Sequence, residues 1–254
     1  AYWYQRKKSR EGARKSMLIT IFGGLSMLAG LLLLSIITDT YSIREMISQA
    51  KSLPEDVLFL PAMILILLGA FTKSAQFPFS LWLPDAMEAP TPISAYLHSA
   101  TMVKAGIYLV ARLTPLFGGD AVWFWTVSLV GIVTLLYGSW NAVRQKDLKA
   151  LLAYSTISQL GLIMSLLGLG SAAIYFGYGD ESKVYAIAIM AAVFHLVNHS
   201  TFKGSLFMVV GIIDHETGTR NLQRLGGLMS LMPISFTITM IGSFSMAGLP
   251  PFNG

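Results

Sequence analysis

The sequence predicts an all-α, polytopic membrane protein. Three observations carry that expectation. Of 254 residues, 54% are hydrophobic and only 12% are charged, against about 25% charged in soluble domains. Mean hydropathy is +0.61. The apolar residues fall in runs of roughly the 20 residues that a helix needs to cross a bilayer, and most Lys and Arg lie between the runs. Cysteine is absent, which excludes a disulfide framework and thiolate-held metal or iron–sulfur centres in this stretch. There is neither a G-x-G-x-x-G nor a P-loop, so no cofactor is expected. The net charge of +5 comes from basic residues in loops beside apolar spans and is not read as a nucleic-acid surface.

Seven spans are expected, with loops between them: Met17–Thr38, Val57–Phe77, Pro92–Leu113, Val122–Val143, Leu148–Leu169, Val184–Ile213 and Leu228–Leu249. Residues 1–16 read as a basic cytoplasmic loop preceded by the end of another helix, and the last residues read as lying inside a further span. With that first loop inside, eleven basic residues fall on the inner side (Arg6 to Lys15, Arg144 to Lys149, Arg220 and Arg224). Four fall outside: Arg44, Lys51, Arg112 and Lys183. The positive-inside rule orients the chain accordingly. The outer connection Asp39–Asp56 mixes charges and reads as a short surface helix followed by Pro54. Trp123 and Trp125 fit an interfacial aromatic belt.

The remaining three basic residues, Lys73, Lys104 and Lys203, lie within spans. A charge at bilayer depth costs several kcal/mol unless it is paired or reaches water, so each is a functional candidate. Lys73 precedes an expected helix break at Phe77-Pro78, where irregular backbone is tolerated only if it lines a cavity or protein. A partner that approached and withdrew would switch its proton on and off; the alternative is a lysine snorkelling to the inner interface. His98, Thr101 and Lys104 follow at three-residue steps. On a continuous helix they would place His98 and Lys104 about 120° and about 9 Å apart, with the Thr101 hydroxyl between them. Histidine titrates near neutrality and suits a relay. In H-L-V-N-H-S-T-F-K, His195, His199 and Lys203 form one stripe about 12 Å long, with Asn198 beside it. No carboxylate or cysteine stands near enough in the sequence to complete a metal site there. Ser155, Thr156, Ser158 and Gln159 read mainly as polar packing between helices. Asp85, Glu88, Asp214, His215 and Glu216 fall at the inner mouth.

Several stretches resemble the antiporter-like subunits shared by respiratory complex I and Mrp-type cation/proton antiporters. They are K-S-A-Q-F-P-F (Lys73 to Phe79), W-L-P-D-A-M (Trp82 to Met87), P-T-P-I-S-A-Y-L-H-S-A-T-M-V-K-A-G (Pro90 to Gly106) and A-Y-S-T-I-S-Q-L-G (Ala153 to Gly161). The wording L-H-S-A-T-M-V-K and D-H-E-T-G-T-R (Asp214 to Arg220) is most similar to the large subunits of the Mrp branch. The resemblance implies inverted repeats with broken helices: residues 17–113 would close a first repeat, and 114–254 would hold a second one up to its broken helix. Gly69-Ala-Phe71 before Pro78 and Gly242-Ser-Phe244 before Pro250 echo one another accordingly. It also implies that Lys73, His98, Lys104, His195, His199 and Lys203 carry protons along a central polar axis. Lys73 would pair with a glutamate on a helix that precedes residue 1.

The expected function is therefore a transporter rather than an enzyme: a component of a multisubunit complex in the bacterial cell membrane that exchanges H⁺ for Na⁺. The expected partners are the other subunits, the two ions and the lipid bilayer. The alternative is a pump component of complex I or a membrane-bound hydrogenase, in which a redox reaction drives the same relay. A retinal-type lysine Schiff base fits poorly with three lysines on separate spans. A scaffold role would leave transport intact when Lys73 is neutralised.

Overall fold

The structure, a computed structural model, describes residues 3–50, 52–99, 101–177 and 183–252. Its described secondary structure is helical apart from one isolated bridge. In chain order the helices are α1 Lys7–Thr38, α2 Ile43–Ser48, α3 Phe59–Lys73, α4 Trp82–Asp85, α5 Thr91–Ser99 and α6 Met102–Phe117. They continue with α7 Ala121–Val143, α8 Leu148–Tyr175, α9 Lys183–Thr217, α10 Leu228–Leu231 and α11 Pro233–Ala247. Among the described residues, four are long and apolar enough to cross a membrane: α1, α7, α8 and the Ala186–Thr217 part of α9. α3 and α11 are apolar but shorter.

Several expected boundaries change. The basic segment before Met17 is not a loop from Lys7 onward but the first turns of α1. It contains no proline, and Lys7 and Glu11 pair across one turn at 3.9 Å, a spacing that supports an exposed helix. The second span ends at Lys73 rather than Phe77. Ala75 adopts a left-handed conformation with φ 49°, and Pro78 cannot continue a helix. The third span is two helices, interrupted between Ser99 and Met102, where Thr101 has φ −124° and ψ −84°. The seventh divides at Met232, with Pro233 opening α11 in the position where its missing N–H costs nothing. The outer connection contains α2 and a 3₁₀ turn at Leu53–Glu55, with Met46 and Leu53 buried.

α7 and α8 lie against one another along their lengths. The contact is close because glycines recur at seven-residue intervals, Gly131 and Gly138 on α7 and Gly161 and Gly168 on α8. A Cβ on Gly161 would stand 2.4 Å from the Leu135 amide nitrogen. Gly161→Leu should therefore push the two helices apart and lower stability by about 1–3 kcal/mol or more. A thermal midpoint unchanged from wild type in the purified protein would contradict this packing.

Gly106 does the same work for α6, where a Cβ would meet the Ala70 carbonyl at 2.1 Å and the Ser74 hydroxyl at 2.5 Å. The main core gathers Met63, Ile66 and Leu67 of α3, Val103, Ile107 and Val110 of α6, and Leu160, Ile163 and Leu167 of α8. A second cluster joins Ala95, Leu152, Ala153, Phe202, Leu206 and Phe207. It wraps the polar residues of α5, α8 and α9 in hydrocarbon.

Candidate functional site: a buried lysine and histidine axis

The interruption of α5 creates the site. The last carbonyls of a helix have no intrahelical donor, and here side chains supply them. Thr101 Oγ1 donates to the Tyr96 carbonyl at 3.3 Å. The Lys104 ammonium turns back and donates to the Ser99 carbonyl. It also donates to the Ser200 hydroxyl and, at 3.3 Å, to the Leu196 carbonyl, both on α9. The expected helical geometry of His98, Thr101 and Lys104 is thus corrected. Thr101 is not a bridge between the two but a cap on the broken end. Arginine would not fit three acceptors arranged around one ammonium, and it does not release a proton.

His98 and His199 are fully buried, and neither has a hydrogen-bond partner at either ring nitrogen. His98 stacks on Phe207 with ring centroids 5.5 Å apart, and His199 meets the edge of Phe202 at 5.3 Å. Buried polar atoms without partners are rare in folded proteins, and two such imidazoles among aromatic rings are a costly arrangement. Lys203, also fully buried, donates to the Ser155 hydroxyl at 2.5 Å and the Leu152 carbonyl at 3.4 Å on α8. His195 is half-buried and its Nε2 lies 2.6 Å from Gln159 Oε1. Asn198 accepts from Ser245 on α11 at 3.1 Å.

α9 therefore gathers half of the candidates, His195, His199 and Lys203. Leu196, His199, Ser200 and Lys203 present one polar strip, met by Lys104 from α6 and by Ser155 from α8. Lys73 stands apart. It is the last residue of α3, half-buried, and no hydrogen bond or ion pair among the described residues involves it. Beyond it the irregular backbone holds three buried oxygens without partners, on Ser74, Gln76 and Ser80.

Gln159 and Ser155, which the sequence presents mainly as packing, are direct partners of His195 and Lys203. Ser200 carries no distinguishing signal in the sequence at all. Such signals are weak because Ser and Gln in apolar spans also serve as helix contacts. Lys149, by sequence a loop charge, is only 3% exposed, with its ammonium 2.9 Å from the Ala89 carbonyl. It lines a cleft of about 910 Å³ together with Glu88, Asp147, Asp214, Glu216 and Arg220. Arg220 pairs there with Asp147 at 3.3 Å and Asp214 at 3.9 Å. Asp85 does not line that cleft but pairs with Lys15 of α1 at 2.8 Å. No group of three or more His, Cys, Asp or Glu among the described residues has a metal-binding arrangement.

Comparison with known proteins gives a consistent pattern. The family described as "NADH:quinone oxidoreductase/Mrp antiporter, TM" matches residues 1–254. The chain is 69% identical over 254 residues to the A subunit of the Na⁺/H⁺ antiporter of Alkalihalophilus pseudofirmus, covering all of this chain and 32% of that protein. It is 66% identical over 253 residues to its counterpart in Bacillus subtilis, of which it covers 31%. It thus spans about a third of the length of these curated relatives. Among solved structures it is similar to a chain of the Mrp complex from Dietzia sp. DQ12-45-1b, with a TM-score of 0.85 and 41% identity. That match covers 97% of this chain and 26% of the other. A chain of the membrane-bound sulfane sulfur reductase, an archaeal respiratory membrane complex, matches with a TM-score of 0.82 and 28% identity. Here 98% of this chain and 48% of the other are covered.

Proposed function

We infer the function from the premise that this chain belongs to the NADH:quinone oxidoreductase/Mrp antiporter transmembrane family. We propose that it forms part of the proton path of a multisubunit Na⁺/H⁺ antiporter in the bacterial cell membrane. The observation that carries this reading is the buried axis itself. Two fully buried imidazoles and two buried lysines, none paired with a carboxylate among the described residues, are expensive for a fold with only packing to perform. Protons would move along Lys73, His98 and Lys104, then His195, His199 and Lys203, with Gln159 and Ser155 orienting the groups they bond.

The finer architecture follows the same reading. α3 and α11 are each 15 residues long, and each is followed within two residues by a left-handed residue, Ala75 and Gly248. This supports two inverted repeats, each with a helix broken near mid-membrane. Counting α5 with α6 and α10 with α11, the chain would then contribute about seven crossings. Similarity to the large Na⁺/H⁺ antiporter components, at 69% and 66% identity, favours Na⁺ exchange over redox-driven pumping. The other subunits of the complex, Na⁺, H⁺ and the bilayer are its proposed partners.

The test uses inverted membrane vesicles from a host stripped of its own Na⁺/H⁺ antiporters. They would carry the chain in its native polypeptide with its partner subunits. Respiration sets up a pH gradient that a dye reports, and added Na⁺ should collapse it. No response in a verified, assembled complex would overturn the antiporter reading and favour a redox-driven pump.

A further inference from the structure

Among the described residues, Lys104 is held by neutral oxygens only: the Ser99 carbonyl at the end of α5, and the Leu196 carbonyl and Ser200 hydroxyl of α9. We propose that this set of oxygens is a binding site for a dehydrated monovalent cation of Na⁺ size. In the proposal the Lys104 ammonium is the competing occupant that holds the site in this structure. It rests on the antiporter reading and gives the exchange a location: ammonium and Na⁺ exclude one another from the same ligands.

The donor chemistry fits. Hard cations take oxygen ligands from carbonyls and hydroxyls. The cost of burying an ion rises steeply with its charge. A set without a carboxylate therefore suits a single charge and disfavours a divalent ion. The position also fits. The α5 terminus carries the partial negative charge of a helix C-terminus, and broken helix ends are where membrane transporters coordinate Na⁺. A tethered ammonium already sits there as a stand-in for such an ion.

The other two lysines lack this arrangement. Lys203 has two oxygen partners, both from α8 and less than one turn apart. Lys73 has no protein partner among the described residues.

The exchange conserves charge. The ammonium gives up one proton, the neutral amine loses its attraction to the three acceptors, and one Na⁺ takes them over. The proton must leave the site for water as Na⁺ enters; His98 and His199, buried on the same two helices that supply the oxygens, have ring nitrogens without partners among the described residues and could pass it on without keeping it. The reverse step restores the ammonium and expels Na⁺. Other titratable groups occupy the elements packed on α6, Lys73 on α3, Arg44 and Glu45 on α2, Tyr96 on α5, and Lys149, Tyr154 and Tyr175 on α8, and α9, which bonds Lys104 directly, carries His195 and Lys203. Of these, Lys203 is the fully buried cation, on the same helix as Ser200, and its proton would also oppose Na⁺ entry.

The experiment measures ²²Na⁺ binding to the purified complex across a pH series, for wild type, Ser200→Ala and Lys104→Met. In wild type the Na⁺ dissociation constant should rise with acidification, approaching about tenfold per pH unit once Lys104 is mostly protonated. Ser200→Ala removes one ligand and should weaken Na⁺ about tenfold. Lys104→Met removes the competitor, so it should bind Na⁺ with much less dependence on pH. Wild-type affinity in Ser200→Ala, or an unchanged pH dependence in Lys104→Met, would overturn the site. If the wild-type vesicles still exchanged Na⁺ for H⁺, that result would move the Na⁺ site elsewhere and leave the antiporter reading standing. Absence of exchange in those vesicles would remove the reading on which the site rests.

Discussion

Lys203→Met is expected to abolish Na⁺-dependent collapse of the pH gradient while the complex remains assembled, with a thermal midpoint equal to or above wild type. Lys203 is fully buried, and among the described residues its ammonium has only the Ser155 hydroxyl and the Leu152 carbonyl as partners. Its helix and α8 contribute Leu152, Ala153, Phe202, Leu206 and Phe207 to a buried apolar cluster. An ammonium in such surroundings is poorly compensated, and replacing buried charge with an apolar side chain of similar volume is often neutral or stabilising by about 1–4 kcal/mol. Methionine has comparable length and enough flexibility to fill the space. A structural lysine and a proton-carrying lysine therefore predict opposite patterns. The first loses stability and leaves transport in proportion to the protein that survives. The second keeps stability and loses transport. Full exchange by a stable Lys203→Met complex would remove Lys203 from the path.

Lys73→Ala is expected to reduce coupled transport to the vesicle background without loss of assembled protein. Lys73 ends α3 and has no side-chain partner among the described residues, so its removal breaks no hydrogen bond or ion pair. Its favourable contact with the helix C-terminus is worth about 0.3–1 kcal/mol, too little to threaten the fold. Loss of transport would then report on the charge itself. Lys73→Arg separates two explanations. Arginine preserves the positive charge at the helix end but retains its proton, so restored transport would mark Lys73 as a fixed electrostatic element. Normal transport in Lys73→Ala would remove it from the path altogether.

Different parts of this protein were legible to different degrees. Length of apolar run, loop charge and the placement of Pro and Gly are local properties. They located α7, the polar stripe of α9 and the end of α3 to within a few residues, but put the start of α1 at Met17 instead of Lys7 and the end of α8 at Leu169 instead of Tyr175. The lysines and histidines also stood out unaided, because a bilayer makes polar residues conspicuous. The wording of the motifs around Lys73, His98 and Lys104 pointed to the family now matched over residues 1–254.

The partners of those residues were hidden, and so was the break in the third expected span. No proline or glycine marks Thr101, and the run through it is apolar enough to continue as a helix. What interrupts it is compensation from elsewhere in the chain. The Ser99 carbonyl at the broken helix end is met by Lys104, whose ammonium is held in turn by Ser200, 96 positions further on. Likewise Lys203 finds Ser155 across 48 positions and His195 finds Gln159 across 36. Hydrophobicity acts on each segment separately, so it is written into composition and period. A hydrogen bond between buried groups needs two helices brought to a particular depth and rotation, and only the packing of α5, α6, α8 and α9 against one another sets those.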